Sequence, residues 1–254
     1  MLEVRGLTKT FGSITAADGI DMHVAAGTIH GLIGPNGSGK STTMNLISGT
    51  YRPTAGEVRL EGTAIGGLPS YRVARLGVVR TFQLTRIYSQ LTLLEAVRIG
   101  ALAGSGAPWN PRFWRPFRPH HPATAAAQAA LDRLGLGAHR DRNAGSLPSG
   151  MRRILSIATA LATSPKVLLL DEPLAGLNAS EKAEVADRIQ QLKQDGLTIL
   201  LVEHDVRSIM RLSDRITVIN FGKVIATGTP AEISRNDAVI AAYLGDRRRE
   251  HAAN

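Results

Sequence analysis

The sequence predicts an α/β protein with a mainly parallel central sheet, and three observations lead to this fold class. Short apolar runs alternate with stretches of helical pattern along most of the chain. A glycine-rich loop at residues 34–39 joins one predicted strand to a helix. A second predicted strand ends in two acidic residues, Asp171 and Glu172. Because ligands bind at the carboxyl ends of parallel strands, we expect the loop and the acids to meet at one edge of the sheet.

The N-terminal part of the chain is predicted to form strands around one helix. The helix is expected to begin at Lys40, directly after the loop, and to end near Gly49. The strand patterns are short apolar or alternating runs between glycine and polar turns, and they include an N-terminal antiparallel β region. They cover Leu2–Leu7, Ile20–Val24, Thr28–Ile33, Glu57–Leu60 and Leu76–Phe82.

A mainly helical subdomain is predicted at residues 92–162, inserted into the α/β core. Leu93–Ile99 and Ala123–Leu134 have patterns that suit helices. Between them, Gly104–Pro122 is rich in proline, arginine and aromatic residues. Because proline breaks helices and cannot donate to a sheet, this stretch is not expected to form a regular helix or an inner strand.

The α/β core is predicted to resume after residue 162 and to finish in a helical tail. Its elements are expected at Lys166–Leu170, Ser180–Gln194, Leu197–Val202, Val206–Leu212 and, as a hairpin, Arg215–Asn220 with Lys223–Ala226. Short helices are expected after Pro230. The whole chain, 1–254, is therefore predicted to be one domain with a catalytic core at 1–91 and 163–229, a helical subdomain at 92–162 and a C-terminal helical tail at 230–254.

Composition narrows the class of protein. Apolar residues make up 43% of the chain, but no run approaches the roughly 18 consecutive apolar residues of a membrane span. The N-terminal residues lack the basic-then-apolar order of a signal peptide. We therefore expect a chain that does not cross a membrane by itself. The absence of cysteine excludes disulfides and cysteine metal sites and fits a reducing compartment.

The chain is basic, with 30 lysine and arginine residues against 21 acidic ones and a formal net charge of +9. Such a surface attracts polyanions, including nucleic acid, nucleotides and the anionic face of a membrane. The basic residues are scattered, apart from Arg247–Arg249 and the stretch from Arg112 to His121. This scatter favours ordinary solvated charge over a nucleic-acid footprint, so no nucleic-acid partner is expected.

The glycine-rich loop matches the pattern G-x-x-x-x-G-K-[ST], which binds nucleotide phosphates. Its glycines let backbone N–H groups point inward at a phosphate, and the following helix adds a partial positive charge there. Lys40 is expected to reach the β- and γ-phosphates, and the hydroxyl of Ser41 to bind Mg²⁺. The alternative is a flexible turn, which the position between a strand and a helix disfavours. The predicted ATP-binding residues are Gly34, Pro35, Asn36, Gly37, Ser38, Gly39, Lys40, Ser41 and Thr42.

Asp171 and Glu172 bring acidic groups to the end of a buried strand. Asp171 suits the ligand sphere of Mg²⁺, and Glu172 suits the group that polarises the attacking water. The alternative is a surface turn stopped by Pro173, and the phosphate-binding loop elsewhere in the chain argues against it. The sequence therefore predicts a site that binds ATP with Mg²⁺ and hydrolyses it.

With these motifs, the chain resembles the ATPase subunit of ABC (ATP-binding cassette) transporters over essentially its whole length. The resemblance implies that Gln83, in the family's Q-loop, contacts Mg²⁺ and water and senses the membrane partner. It also implies that His204 contacts the γ-phosphate, although a plain strand-end histidine is the alternative. Asn178 stands in the D-loop where many members carry aspartate. Phe11 matches the aromatic position that stacks on adenine, and it could equally be a core residue.

The family's signature segment is where this chain departs from the common pattern. Most members have L-S-G-G-Q, and this chain has Leu147-Pro148-Ser149-Gly150-Met151. In the family, this segment closes over the γ-phosphate of ATP held by a second protomer in a head-to-tail dimer. Pro148 removes a hydroxyl and an N–H, whereas Ser149 can replace the hydroxyl and Gly150 is retained. We expect this segment to bind the partner's ATP more weakly than the common pattern does, without losing the contact. A purely structural role for the segment is the alternative.

Finer features resemble the branch of the family that imports branched-chain amino acids into bacteria. They are Arg80–Gln83, the run Leu91–Val97, the insert Gly104–Pro122 and the ending Asn236–Gly245. The branch implies an ATP-hydrolysing subunit that powers an ABC importer. Related importers carry urea or short amides, and this cargo is one alternative. A soluble ABC ATPase that acts on nucleic acid is another, as is a binding-only subunit, which Glu172 and His204 argue against.

The resemblance also implies the partners and the location. The partners are ATP, a second ABC ATPase protomer (a copy or a homologue), membrane-spanning permease subunits and, indirectly, a periplasmic or lipid-anchored binding protein. The location is the cytoplasmic face of a prokaryotic plasma membrane, as a peripheral subunit. Trp109 and Trp114 interleave with arginines in the insert, which suggests contact with the membrane domain or anionic lipid. An exposed loop is the alternative.

Overall fold

The computed structural model describes residues 1–81, 89–104 and 122–243. Its strands are β1 Leu2–Phe11, β2 Ile14–Val24, β3 Ile29–Ile33, β4 Ala55–Leu60, β5 Thr63–Ala64, β6 Val78–Arg80, β7 Val167–Asp171, β8 Thr198–Val202, β9 Arg215–Asn220 and β10 Lys223–Gly228. They form a four-stranded sheet in the order β2-β1-β4-β5 and a six-stranded sheet in the order β10-β9-β3-β8-β7-β6.

The described part of the chain also contains eight α-helices that are given labels here. They are α1 Lys40–Ile47, α2 Ser70–Leu76, α3 Leu93–Gly104, α4 Pro122–Arg133, α5 Ser149–Leu161, α6 Ala179–Gln194, α7 Val206–Leu212 and α8 Pro230–Ser234. Residues 237–243 are also helical. Within the residues described, none of the helices has the length and apolar character needed to span a membrane.

The four-stranded sheet is antiparallel, as predicted for the N-terminal region. Its first two strands are longer than the sequence patterns indicate. Phe11 pairs with Ile14 across a short turn, so the hairpin extends through polar and exposed residues. Backbone pairing sets these strand ends, and the apolar pattern that predicts buried strand positions does not reach them.

The six-stranded sheet is parallel from β6 to β9, with β10 added antiparallel at one edge. Both of its faces are covered, because alternate residues of one strand enter different cores. Leu168 and Leu170 of β7 pack with residues from α3 to α6. Leu169 of the same strand packs with residues from α1 and from the antiparallel sheet. A parallel sheet buried on both faces explains the near-continuous apolar runs in its strands and confirms the predicted fold class.

The region between β6 and β7 is helical where it is described. Helices α3, α4 and α5 contact one another, and α5 also contacts α6. Buried residues such as Leu93, Leu131 and Ile154 join these helices to the core on that face of the parallel sheet. The division into a catalytic core, a helical subdomain and a C-terminal tail stays a prediction.

One predicted strand, Leu76–Phe82, is wrong at its beginning. Residues Ser70–Leu76 form α2, which the sequence analysis missed, and the strand is Val78–Arg80. Gly77 separates the two elements with a φ of 112°, a left-handed value that ends the helix. The helix was missed because Val73 is its one buried residue, so its apolar pattern is weak. Phe82 lies outside the described residues.

Candidate nucleotide-binding and hydrolysis site

The glycine-rich loop lies between the end of β3 and the start of α1, as predicted. Gly37 and Gly39 have φ values of 74° and 105°, which residues with a side chain rarely adopt. A Cβ atom at Gly39 would also lie 2.3 Å from the carbonyl oxygen of Ala16. Glycine is therefore required at residue 39 both for the backbone conformation and for space.

The loop has the properties of an anion-binding site. Within the described residues, no side chain caps α1 and its first turn contains no acidic residue, so the helix itself places no negative charge at its positive end. Among the residues that the structure describes, none is a hydrogen-bond partner of the buried hydroxyl oxygen of Ser38. Lys40 is buried, and its ammonium group donates to the carbonyl oxygens of Gly34 at 2.7 Å and Pro35 at 2.9 Å. Phosphate oxygens fit this set of donors.

Asp171 ends β7 and lies close to the residue that ends β6. Arg80 Nη2 donates to Asp171 Oδ2 at 2.5 Å, and Arg80 Nη1 donates to Asn45 Oδ1 on α1 at 2.6 Å. The guanidinium group therefore joins β6, β7 and the helix that follows the loop. In the sequence, Arg80 belongs to a motif shared with the importer branch, and nothing in that motif indicates a contact with Asp171.

The predicted metal ligands Ser41 and Asp171 supply a hydroxyl and a carboxylate oxygen, the donor type that Mg²⁺ prefers. In the described ranges, acidic, histidine and cysteine side chains form no group of three or more that could hold a metal. A Mg²⁺ ion here would therefore depend on phosphate oxygens in addition to protein oxygens. Magnesium sites in ATPases commonly combine one or two carboxylates with substrate phosphates, so the residues fit such an ion.

Glu172 and His204 come together at the ends of two neighbouring strands. His204 Nε2 lies 2.6 Å from Glu172 Oε1, and both side chains are partly exposed. The backbone N–H of Glu172 donates to the carbonyl of Val202, the last residue of β8, at 2.9 Å. Glu172 has a φ of 47°, a left-handed value that costs about 1–3 kcal/mol for a residue with a side chain. The predicted water-activating carboxylate and the histidine predicted to contact the γ-phosphate thus lie in contact with each other.

Glu203 is a buried carboxylate next to this pair, with no role predicted from the sequence. Only 4% of its surface is exposed, and its Oε1 accepts a hydrogen bond from Leu174 N–H at 2.6 Å. Burial raises the pKa of Glu203, the bond from Leu174 opposes that rise, and the negative charge of Glu172 adds to it. The bond fixes the loop that follows Glu172. Glu203 could have been recognised from the sequence, because it directly follows an apolar run, as Asp171 does.

The signature segment leads into α5, whose first residues are Ser149 and Gly150. Ser149 Oγ donates to Glu181 Oε1 at 2.8 Å, and Gly150 N–H donates to the same oxygen at 3.0 Å. Glu181 belongs to the first turn of α6, whose N-cap is Asn178. Both predicted signature contacts are therefore engaged with a carboxylate of their own chain.

Phe11 lies at the end of β1 with 44% of its surface exposed. Its ring makes an edge contact with Tyr51, and the ammonium group of Lys9 lies 5.0 Å from the ring centroid. The adenine-stacking interpretation of Phe11 stays a prediction. Gln83, Trp109 and Trp114 lie outside the described residues.

The fold and the site define a P-loop nucleoside triphosphatase. A family model described as ABC transporter matches residues 17–175, and one described as branched-chain amino acid ATP-binding cassette transporter matches residues 223–248. The chain belongs to the ABC transporter family and is one of its ATPase subunits, which couple ATP hydrolysis to transport. The resemblance inferred from the sequence motifs is confirmed.

Individual relatives match over nearly the whole chain. The high-affinity branched-chain amino acid transport ATP-binding protein BraF of Pseudomonas aeruginosa is 41% identical over 255 residues, which cover 97% of this chain and 98% of that protein. The ADP conformation of MJ1267, an ATP-binding cassette of an ABC transporter, has a TM-score of 0.87 at 31% identity, covering 96% of this chain and 98% of that one. The dimeric structure of MJ0796, a bacterial ABC transporter cassette, has a TM-score of 0.73 at 25% identity, covering 91% and 99%.

Proposed function

We propose that the chain powers the import of branched-chain amino acids as the ATP-hydrolysing subunit of an ABC importer. The observation that carries this proposal is the match of residues 223–248 to the branched-chain amino acid cassette model, beyond the general transporter match at residues 17–175. The name of the relative BraF, which is similar over 97% of this chain, supports the same cargo. Urea and short amides are the alternative cargo.

ATP binding is proposed to use the loop at residues 34–39, Lys40 and Thr42, with Phe11 beside the adenine. The N–H groups of the loop and of the first turn of α1 donate to the β-phosphate. The ammonium group of Lys40 exchanges its bonds to two loop carbonyls for bonds to phosphate oxygens. This exchange keeps the buried ammonium group hydrogen-bonded in both states.

Hydrolysis is proposed to depend on Glu172 and His204. Glu172 orients the attacking water and polarises it as its oxygen approaches the γ-phosphorus. His204, 2.6 Å from that carboxylate, holds it in position and contacts the γ-phosphate. Glu203 anchors the loop after Glu172 through Leu174 and so keeps the carboxylate at the strand end. Gln83 is proposed to contact the same water and to connect the site to the membrane partner.

Ser41, Asp171 and Gln83 are the proposed protein ligands of Mg²⁺. When bound, Mg²⁺ neutralises negative charge on the phosphate oxygens and so favours attack at the γ-phosphate. Asp171 is held at the end of β7 by its bond from Arg80, which leaves its second carboxylate oxygen as the candidate ligand.

A complete site is proposed to need two protomers. Ser149 and Gly150 of one protomer cover the ATP held by the loop of the other, and the partner is a second copy or a homologue. The dimeric structure of MJ0796, a bacterial ABC transporter cassette, supports an assembly of two protomers. Membrane-spanning permeases, a periplasmic or lipid-anchored binding protein and a peripheral position at the cytoplasmic face of a prokaryotic plasma membrane complete the proposal. The proposal also includes the division of the chain into a catalytic core at 1–91 and 163–229, a helical subdomain at 92–162 and a C-terminal tail at 230–254.

Reconstitution tests the proposed cargo. The chain is assembled with its partner ATPase and permeases in liposomes, and uptake of labelled leucine, isoleucine, valine, urea and acetamide is measured with the binding protein present. We expect ATP-dependent uptake of the three amino acids and none with Glu172→Gln, while the exposed Glu184→Gln variant serves as the matched control. Uptake of urea or acetamide alone would contradict the amino acid assignment. Salt-sensitive binding to duplex DNA without any uptake would favour the nucleic-acid alternative.

A further inference from the structure

Glu181 makes contacts beyond those needed to cap its own helix. Its Oε2 accepts from Asn178 N–H at 3.1 Å, and Asn178 Oδ1 accepts from Glu181 N–H at 2.9 Å, which completes a capping box on α6. Its other oxygen, Oε1, accepts from Ser149 Oγ at 2.8 Å and from Gly150 N–H at 3.0 Å. One carboxylate therefore joins the start of α6 to the start of α5.

A second capping box in the chain shows that the contact with α5 is additional. Glu232 Oε2 accepts from Thr229 N–H at 2.7 Å, and Thr229 Oγ1 accepts from Glu232 N–H at 3.4 Å, at the start of α8. That box is complete with one carboxylate oxygen. The bonds from Glu181 Oε1 to Ser149 and Gly150 are thus not part of helix capping in α6.

The start of α5 is a place where an anion is stabilised. The helix has 13 residues, and its first N–H groups lack partners within the helix. Hydrogen bonds from Gly150 N–H, then from the Ser149 hydroxyl and then from Asn178 N–H lower the pKa of Glu181. The carboxylate therefore carries its negative charge at neutral pH while it lies against Ser149 and Gly150.

We propose that Glu181 is an intramolecular competitor that occupies Ser149 and Gly150 until the phosphate of the partner's ATP displaces it. The inference rests on the proposed function, in which Ser149 and Gly150 contact that phosphate. Phosphate and carboxylate oxygens require the same two donors, and two anions cannot share them without repulsion. Glu181 must leave these donors when the two protomers close. The contact therefore raises the ATP concentration that is needed for dimerisation.

The test compares Glu181→Gln with Glu232→Gln, each added to a Glu172→Gln parent that retains ATP. Glutamine at this position of a capping box preserves the cap and removes the charge, so both variants are matched for local helix effects. Analytical ultracentrifugation measures the MgATP concentration at which half of the protein is dimeric. We expect Glu181→Gln to lower that concentration roughly five-fold, the size expected when charge-assisted hydrogen bonds stop competing, and Glu232→Gln to leave it unchanged. An unchanged or higher concentration with Glu181→Gln would overturn the proposal.

A measurement on the nucleotide-free chain separates this inference from the proposed function. If the Glu172→Gln parent forms no dimer at any ATP concentration, the two-copy form of the proposed function fails. In that case, amide hydrogen exchange at Gly150, followed by NMR in the nucleotide-free chain, tests whether Glu181 binds the N–H group of Gly150. Slow exchange that accelerates in Glu181→Ala, but not in Glu232→Ala, supports occupation of α5 by Glu181. Equal exchange rates at Gly150 in all three proteins would overturn it.

Discussion

Arg80 and Asp171 form an ion pair in which Nη2 lies 2.5 Å from Oδ2, at the carboxylate proposed to bind Mg²⁺. Both side chains are largely buried, so screening by solvent is weaker than for a surface pair. The guanidinium group places a positive charge beside the site of a divalent cation. In the sequence, Arg80 stands three residues before Gln83.

Replacing Arg80 should change the Mg²⁺ requirement. Arg80→Gln removes the positive charge that opposes a cation at Asp171, so we expect the Mg²⁺ concentration for half-maximal nucleotide binding to fall several-fold. Fluorescent-nucleotide titration at fixed ATP measures it. Arg133→Gln is the control, because it removes a surface ion pair with Asp195. A higher Mg²⁺ requirement in Arg80→Gln would contradict this prediction and would show that the positioning of Asp171 by Arg80 outweighs the repulsion between the two cations.

Lys40→Ala should weaken ATP binding. The ammonium group is buried against the loop, and its loss removes a charge-assisted contact with the phosphates. We expect the Kd for ATP, measured by equilibrium dialysis, to rise by about ten-fold or more. Lys166→Ala, which removes an exposed partner of Glu61, should leave the Kd unchanged. An equal Kd in Lys40→Ala and the native chain would remove Lys40 from the binding site.

His30 should make the unfolding free energy depend on pH. The residue is 1% exposed, and Nε2 lies 2.8 Å from Thr217 Oγ1. Burial, followed by the charges of Arg215 and His23, lowers its pKa to about 4 from 6.5. The unfolded chain binds more protons between these values, so stability falls as pH falls through this window, by about 3 kcal/mol in total.

Urea unfolding at a series of pH values tests the His30 prediction. His30→Gln should remove most of the slope between pH 6.5 and 4, because glutamine does not titrate and can still bond to Thr217. His139→Gln should retain the slope of the native chain. An identical slope in all three proteins would show that His30 is not its source.

Glu203→Gln should change the pH dependence of the unfolding free energy in the direction opposite to His30→Gln. The folded-state pKa of Glu203 is raised, so the stability contributed by its protonated form is full below about 4.5 and is lost as pH rises through the folded value. Glutamine keeps an acceptor for Leu174 and avoids the buried charge. We expect the unfolding free energy of the variant, relative to the native chain, to be higher at pH 8 than at pH 4. A difference that grows on acidification would contradict the assigned shift.

Local sequence patterns predict where several of the candidate site residues lie in the fold. The loop at residues 34–39 could be predicted because its glycines and Lys40 are consecutive and lie between a strand and a helix. The proximity of Glu172 and His204 could be predicted because each follows an apolar strand, and β7 and β8 are parallel neighbours. Both inferences need a motif and a general rule about sheets, without side-chain positions.

Contacts between distant segments could not be predicted in this way. Arg80 reaches Asp171 across 91 residues, and Ser149 reaches Glu181 across 32, so both depend on how separate elements pack. Asn178 followed three residues later by Glu181 matches a capping box, which the sequence alone can indicate. The bonds of Glu181 to α5 cannot be predicted in this way, because they depend on how α5 packs against α6. The helix Ser70–Leu76 was missed because a single buried residue leaves almost no periodic signal.

The most direct test of the account is the rate of phosphate release from ATP by Glu172→Gln, measured with its ATP affinity under the same conditions. We expect release to fall by about 10²–10⁴-fold, because the group that activates water is lost, while the Kd for ATP stays within two-fold of the native value. Native rates of phosphate release in Glu172→Gln would contradict the assignment of the hydrolytic site.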